Sequence, residues 1–423
     1  MSRYYTFLIF ILFISLNVNA QEPDTTKLKH WGAEVNFTIG EVLGMDKKVK
    51  KWLKDKGTFS ISGEMRYTPL PQDKDDFASD YNYPTMSVGL RYGNYEKVTM
   101  HKDPSADWGM AQTVDYYSRL GNNLTLYGKF SRPIFRHRHW QVDYMMTTGI
   151  GWGLHPYNRN FNIDNEMIGS RWLIYFGAGV NATYYISPQW GIKAGIEYSH
   201  HSNGGLDRPN KGSNAIGPSL ALIYSPNDTY LEETGVYKAS RQFDKKWYSE
   251  ISLGFGGKAL QEEWDYAQYS KTIDDPEYRK NNYAVYAALS AQIDFMYRYA
   301  RRWASGPCID LFYGTYANRL EHIGNLSGKR NKQQDPFSIA VGGKHEVFYH
   351  NTSLRVGLAF YLYRDMGFHE KEYDKPYYEW IGVHQSFPKL GGLKVGIDVK
   401  AHLGKADLTQ ITVGYPIYFK KNN

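Results

Sequence analysis

The sequence predicts an all-β chain, a transmembrane antiparallel β-barrel of about 12–16 strands, and three observations carry that reading. First, many segments alternate with period two. In Trp190–Ser202, Trp190, Ile192, Ala194, Ile196 and Tyr198 share a face with His200 and Ser202, while Gly191, Lys193, Gly195, Glu197, Ser199 and His201 take the other, because successive strand side chains point to opposite sides. Second, a chain of mean hydropathy −0.57 carries 37 Tyr, 40 Gly and 11 Trp, and barrels gather such aromatics in girdles at both membrane interfaces. Third, beyond the leader no apolar run approaches the ~20 residues of a spanning helix.

Taken in order, the chain opens with Ser2-Arg3, an apolar run from Tyr4 to Leu16, and Val18-Asn19-Ala20. That pattern predicts a signal peptide over 1–20, removed before Gln21. No cysteine follows Ala20 in the leader region, so a lipid anchor is not indicated. The lysines at 47, 48, 50, 51, 54 and 56 form the one basic cluster in a chain of net charge +7. It reads as a solvated loop, with anionic lipid headgroups as the alternative partner. Nucleic acid is not expected, since no aromatic-basic motif supports it.

Strands are expected near 31–39, 59–68, 85–97, 121–133, 139–152, 169–186, 189–202 and 214–225, then near 246–257, 282–299, 305–316, 336–349, 353–364, 377–387, 391–403 and 406–419. From Tyr283 to Tyr299 the odd positions are apolar or aromatic, while Ser290, Gln292, Asp294 and Arg298 fall on the even ones. Lipid outside and polar groups inside explain the pattern. Tight junctions at Ser187-Pro188, His350-Asn351 and Lys389-Leu390-Gly391 suit periplasmic turns, and 98–120, 153–168, 258–281 and 317–335 suit long outer loops. The stretch 226–245 is long on the periplasmic side. Because the strands on either side look alike, residues 21–423 are expected to form a single continuous barrel with a lapse there. Cys308 is the only cysteine, which excludes an intrachain disulfide. The chain ends on a strand with Tyr415, Tyr418 and Phe419.

The hairpin 189–225 carries the chemistry. The turn-rich run Asn203-Gly204-Gly205-Leu206-Asp207-Arg208-Pro209-Asn210-Lys211-Gly212-Ser213 leads to a strand whose even positions are Asn214, Ile216, Pro218, Leu220, Leu222 and Tyr224. If the two strands pair, His200, Ser202 and Asn214 emerge together on the lipid side. A serine hydroxyl becomes a nucleophile when an imidazole accepts its proton, and the imidazole needs a third group to fix its tautomer. Asn214 supplies such a carbonyl. The Asn203 amide and the N–H of Gly204 or Gly205 are candidate oxyanion donors. A tilted strand crosses the hydrocarbon in about 9–11 residues, so the trio lies at the far interface, where a polar group on the lipid face costs about 0–1 kcal/mol. The competing reading is a strand end dissolving into a polar loop. His201, on the opposite face, reads as a lumen or loop histidine.

The run His200-His201-Ser202-Asn203-Gly204, with Pro209-Asn210-x-Gly212-x-Asn214 downstream, resembles the outer-membrane lipid A 3-O-deacylase (PagL-like) and acyloxyacyl hydrolase family. Asp164-Asn165 followed by Ile168-Gly169-Ser170 resembles the segment before the active strand of those proteins. The resemblance implies His200 as base, Ser202 as nucleophile, and Asn203 and Gly205 as the oxyanion hole. Where the deacylases place a glutamate this chain has Asn214, as does outer-membrane phospholipase A, which shares His-x-Ser-Asn-Gly. The position of that enzyme's calcium-binding serine is Asn210 here. Three functions follow as expectations: a serine esterase removing an acyl chain from lipid A without a cofactor, a phospholipase A assisted by calcium, or a non-catalytic pore or structural barrel. The expected partners are lipid A or another outer-leaflet lipid, the membrane, and, as an open alternative, a second copy of the chain in a homodimer.

Overall fold

The computed structural model describes residues 30–45, 47–105, 108, 113–225, 237–328, 333–368 and 375–419, so the expected signal peptide over 1–20 lies outside the described residues. Eight strands form a first closed barrel: β1 (Trp31–Val42), β2 (Gly57–Tyr67), β3 (Thr85–Asn94), β4 (Asn123–His137), β5 (Trp140–Gly153), β6 (Trp172–Tyr185), β7 (Trp190–Ser202) and β8 (Ser213–Tyr224). Eight more form a second: β9 (Lys246–Ala259), β10 (Val285–Arg298), β11 (Trp303–Gly314), β12 (Phe337–Tyr349), β13 (Thr352–Arg364), β14 (Tyr377–Phe387), β15 (Leu393–His402) and β16 (Lys405–Tyr418). All pairings are antiparallel. Closure is direct: β1 pairs with β8 (Phe37 opposite Leu220) and β9 with β16 (Leu253 opposite Val413).

All sixteen expected strands form, but the single barrel of the sequence reading is corrected to two. The stretch between β8 and β9 is the handover between closed cylinders, which is why a long connection stands on the side of the short turns. The corresponding ends carry His350-Asn351, the turn Pro388–Leu390 and one longer connection, 68–84, while the opposite ends carry the other long connections and the tight turn Leu403-Gly404. By the usual asymmetry of such barrels, the short turns are periplasmic and the long loops face outward. Four short helices lie in the connections: α1 (Lys47–Trp52), α2 (Asp76–Asp80), α3 (Gln261–Tyr269) and α4 (Ala317–Leu326).

The faces sort by polarity. Val35, Ile196, Leu220 and Leu253 stand outward and exposed, as lipid-facing residues do. Aromatic pairs ring both ends, with Trp140 on Tyr184 and Trp190 on Tyr224 at the turn end and Trp152 on Trp172 at the loop end. Eight strands leave an interior that side chains fill, and both interiors are filled by charge. In the first, Glu34 receives Lys129 (3.0 Å), Arg66 (3.4 Å) and Lys193, and Lys129 also meets Glu64 at 2.5 Å. In the second, Glu250 and Glu346 share Lys394 (2.8 and 2.9 Å) and Arg355 (2.5 and 3.2 Å). Cys308 lies buried in that second interior as the strand-register partner of Asp294.

The two barrels touch at both ends. At the turn end the Tyr81 hydroxyl donates to Phe348 O (2.9 Å), His350 meets Asp75 (2.8 Å) and Arg301 meets Asp80 (2.8 Å). Between the ends, the outward residues Ile381, Val383, Val395 and Ile397 of β14 and β15 are half-buried and Val399 is buried, whereas those of β9 to β11 remain exposed. The second barrel thus turns this wall toward the first. A Glu34→Ala variant removes a carboxylate shared by three buried cations, and unfolding in urea from lipid vesicles should show a loss of about 3–5 kcal/mol; an unchanged midpoint would show that the cluster carries no stability.

Candidate active site at the outer rim of the first barrel

Register alone brings the trio together. On β7 the side chains of Lys193, Glu197 and His201 point into the lumen, where Lys193 pairs with Glu34 and His201 lies 3.1 Å from Thr125 Oγ1. The alternate residues therefore face outward, Ile192 and Ile196 in the membrane zone and His200 and Ser202 at the rim. Asn214 is the strand partner of His200 and begins the outward stripe of β8. The sequence reading of His201 as a lumen histidine agrees with its position.

The His200 Nδ1 to Asn214 Oδ1 distance is 2.8 Å, and the Tyr198 hydroxyl donates to the same oxygen at 2.5 Å. A carbonyl oxygen that accepts from a phenol on one side presents an acceptor to the imidazole on the other, so Nδ1 carries the proton. Nε2 is then the unprotonated nitrogen, the form a general base requires. Ser202 is buried two residues on, beside its β6 partner Ile174. No hydrogen bond joins Ser202 to His200 among the described residues, and such bonds tighten when substrate is bound. Tyr198 escaped the sequence reading because it counted as one more aromatic in the apolar stripe. Its only signal was its place two residues before His200 on the same face.

The loop 203–212 is built by its own side chains. Asn203 donates through Nδ2 to Asp207 O (3.0 Å) and accepts at Oδ1 from Gly205 N–H (3.1 Å), while its backbone N–H goes to Asn210 Oδ1 (2.9 Å). Asn203 and Gly205, expected as oxyanion donors, are therefore already engaged in shaping the turn. Among the described residues the donors in this loop without partners include the Gly204 N–H and the buried Asn210 Nδ2, along with the Asp207 and Asn210 N–H groups. Glycine is needed at 212, where φ is +73° and a Cβ would come within 2.7 Å of the His200 ring carbon Cε1. An L side chain there would push the imidazole off Asn214.

Two supports hold the loop from outside. The segment named in the sequence, Asp164 to Ser170, lies alongside it: Gly212 N–H donates to Met167 O (2.9 Å), and a Cβ on Gly169 would reach Pro209 O at 2.5 Å. Asn165 keeps that segment folded by accepting from Met167 and Ile168 N–H (3.3 and 3.4 Å) and donating to His155 O (2.9 Å). The other support is the second barrel. Thr409 Oγ1 donates to Gly204 O (2.7 Å), Ala259 N–H to Gly205 O (2.7 Å), and Arg208 reaches Ala259 O and Gln261 (2.9 Å each). Nothing in sequence spacing connects 204 with 409. Asp207 is caught in this junction, and burial pushes its carboxyl up to about 7 against the opposing pull of the Arg208 N–H.

A family model described as lipid A 3-O-deacylase (PagL) matches residues 81–222, and one described as acyloxyacyl hydrolase, C-terminal domain, matches 247–421. The two matches fall one on each barrel. Among solved structures the chain is similar to the outer membrane enzyme PagL, at 14% identity over 45% of this chain and 98% of that one, with a TM-score of 0.27. It is also similar to an engineered mutant of the Rh. blastica porin, at 10% identity over 92% of this chain and 100% of that one, with a TM-score of 0.16. No curated protein matches the chain.

The Asp207 carboxyl sets a pH dependence whose sign follows from linkage. With its folded pKa at about 7 and its unfolded one near 3.8, the native state holds the extra proton between those values. Its contribution is intact at low pH and is lost as pH rises toward 7. Asp207→Asn should therefore match the parent in melting temperature near pH 4, exceed it progressively up to pH 7, and hold a constant margin above; a margin independent of pH would contradict the assignment.

Proposed function

The chain belongs to the lipid A 3-O-deacylase (PagL) family, and from that premise we propose that it is an outer-membrane serine esterase that hydrolyses an acyl ester of lipid A. Family membership makes it a hydrolase of the outer membrane whose substrate is a lipid. The observation that supports the finer reading is the His200–Asn214 contact of 2.8 Å on the outward face, with Ser202 beside it at the loop end. An ester carried by a lipid reaches that point by lateral diffusion in the outer leaflet.

In this reading Ser202 Oγ attacks the ester carbonyl while its proton passes to His200 Nε2. The Asn214 carbonyl holds Nδ1–H and orients the ring, giving direction without the charge that a carboxylate would supply to the imidazolium. The tetrahedral oxyanion is received by two loop donors that have no other partner, the Gly204 N–H, which directly follows the Ser202-Asn203 pair, and Asn210 Nδ2. His200 returns the proton to the sugar alkoxide as the C–O bond breaks. Water, deprotonated by the same nitrogen, then attacks the acyl-serine, releases the fatty acid and restores Ser202. Tyr198 is a positioning residue, since it acts on Asn214 and not on the ester.

Purified protein incubated with lipid A and followed by mass spectrometry should release one acyl chain. Ser202→Ala and His200→Ala should each lower that rate by at least about 10³-fold, and retention of activity by Ser202→Ala would refute the mechanism. Asn210→Ala should cost on the order of 10²-fold in kcat if its amide meets the oxyanion. Tyr198→Phe removes one hydrogen bond of about 0.5–1.5 kcal/mol, so kcat should fall by roughly 2- to 12-fold with KM unchanged. The second reading, a phospholipase A, is favoured by Asn214 standing where deacylases have glutamate; fatty acid release from glycerophospholipid, abolished by EDTA, would select it.

A further inference from the structure

We propose that the lysine-bearing α1 segment is a docking site for the sugar phosphates of lipid A, placing the lipid so that its acyl ester meets Ser202. The inference rests on the deacylase reading and deepens it. The basic cluster in the sequence, six lysines against two aspartates between residues 43 and 56, has no part in the mechanism. In the structure, Lys47, Lys48, Lys50 and Lys56 are exposed, whereas Lys54 is turned to Asp103 at 2.5 Å.

Three features convert a charged loop into a placed surface. The segment is anchored: Val49 and Trp52 are buried in the apolar cluster that caps the first barrel, together with Met100, Met167, Ile168 and Ala215. It is held next to the site: Leu43 N–H donates to Asn214 O at 2.7 Å, so the loop leaves the sheet from the strand beside the catalytic hairpin. It is also on the open flank. The opposite flank of loop 203–212 is occupied by Thr409 and Ala259 of the second barrel, whereas Ile39 and Ile216 on β1 and β8 are 57% and 41% exposed. A lipid approaching the trio therefore runs its acyl chains over Ile39 and Ile216 and brings its headgroup up beneath α1. Glu41 stands opposite Ile216 on that path, below the level of the lysines. Lysine attracts phosphate as a point charge and tolerates varied geometry, which suits a headgroup that must slide in and leave. Each lysine near an anionic surface is worth on the order of fivefold in binding.

The test separates recognition from turnover. In the Ser202→Ala background, binding of the full chain in detergent to phosphorylated lipid A and to enzymatically dephosphorylated lipid A is measured with and without Lys47→Gln, Lys48→Gln and Lys50→Gln together. These substitutions leave Val49 and Trp52 in place, and an unshifted heat-modifiable gel band checks that the barrel is folded. The triple variant should bind phosphorylated lipid A at least about tenfold more weakly and dephosphorylated lipid A equally well. No loss, or the same loss on both lipids, overturns the proposal. So does an equal loss on phosphatidylglycerol micelles, which would make the patch a general membrane anchor. If dephosphorylated lipid A discriminates as expected but no acyl release occurs with intact Ser202, the deacylase reading fails while the docking site stands.

Discussion

The constraint on which this structure depends is that hydrocarbon offers no partner to a backbone N–H or C=O. A sheet that crosses it must close on itself. Closing at eight strands rather than sixteen leaves no open lumen: the interior is only wide enough for side chains, and here Glu34, Lys129, Lys193, Glu250, Lys394 and Arg355 occupy it. A filled interior pairs its own charges and leaves no room for a lipid. Chemistry is thereby moved to the outer surface, and on that surface only the rim tolerates a histidine, a serine and an amide facing lipid. The site is where it is because closure excludes the other places.

Within that frame the second barrel is more than an addition. Its β9 and β16 ends supply Ala259 and Thr409 to the carbonyls of Gly205 and Gly204, so the orientation of the peptides after Ser202 is fixed from outside the hairpin. A loop of glycines is the easiest backbone to bend toward a required geometry and the hardest to keep there. The bonds from the neighbouring cylinder and from Met167 provide the restraint that glycine lacks. The junction is also where Asp207 is partly withdrawn from water, so the same packing that orients the loop raises the pKa of its carboxyl group.

How much of this was legible in the sequence follows from what each signal encodes. Period-two alternation reports which face of a strand meets lipid, and it located all sixteen strands and the outward position of His200, Ser202 and Asn214. It does not report which strand a distant strand pairs with. Leu220 reads the same whether its partner is Phe37 or a residue of β9, so one barrel and two barrels share a pattern; the long connection after β8 was the available clue. The trio was legible because its members are register neighbours. The engagement of Asn203 and Gly205 within the loop was not, because both look free until the fold of the loop brings Asp207 O and Asn203 Oδ1 to them. Thr409 was invisible, since contact between two cylinders leaves no trace in local spacing.

That last contact has a consequence for the life history of the chain. Two of the residues that steady the loop after Ser202, Ala259 on β9 and Thr409 on β16, belong to the strands whose pairing closes the second cylinder. A molecule still in transit, with its first cylinder complete and its second unformed, possesses serine, histidine and asparagine yet lacks the clamp on Gly204 and Gly205. Closure of the second cylinder therefore completes the restraint on the backbone that follows Ser202.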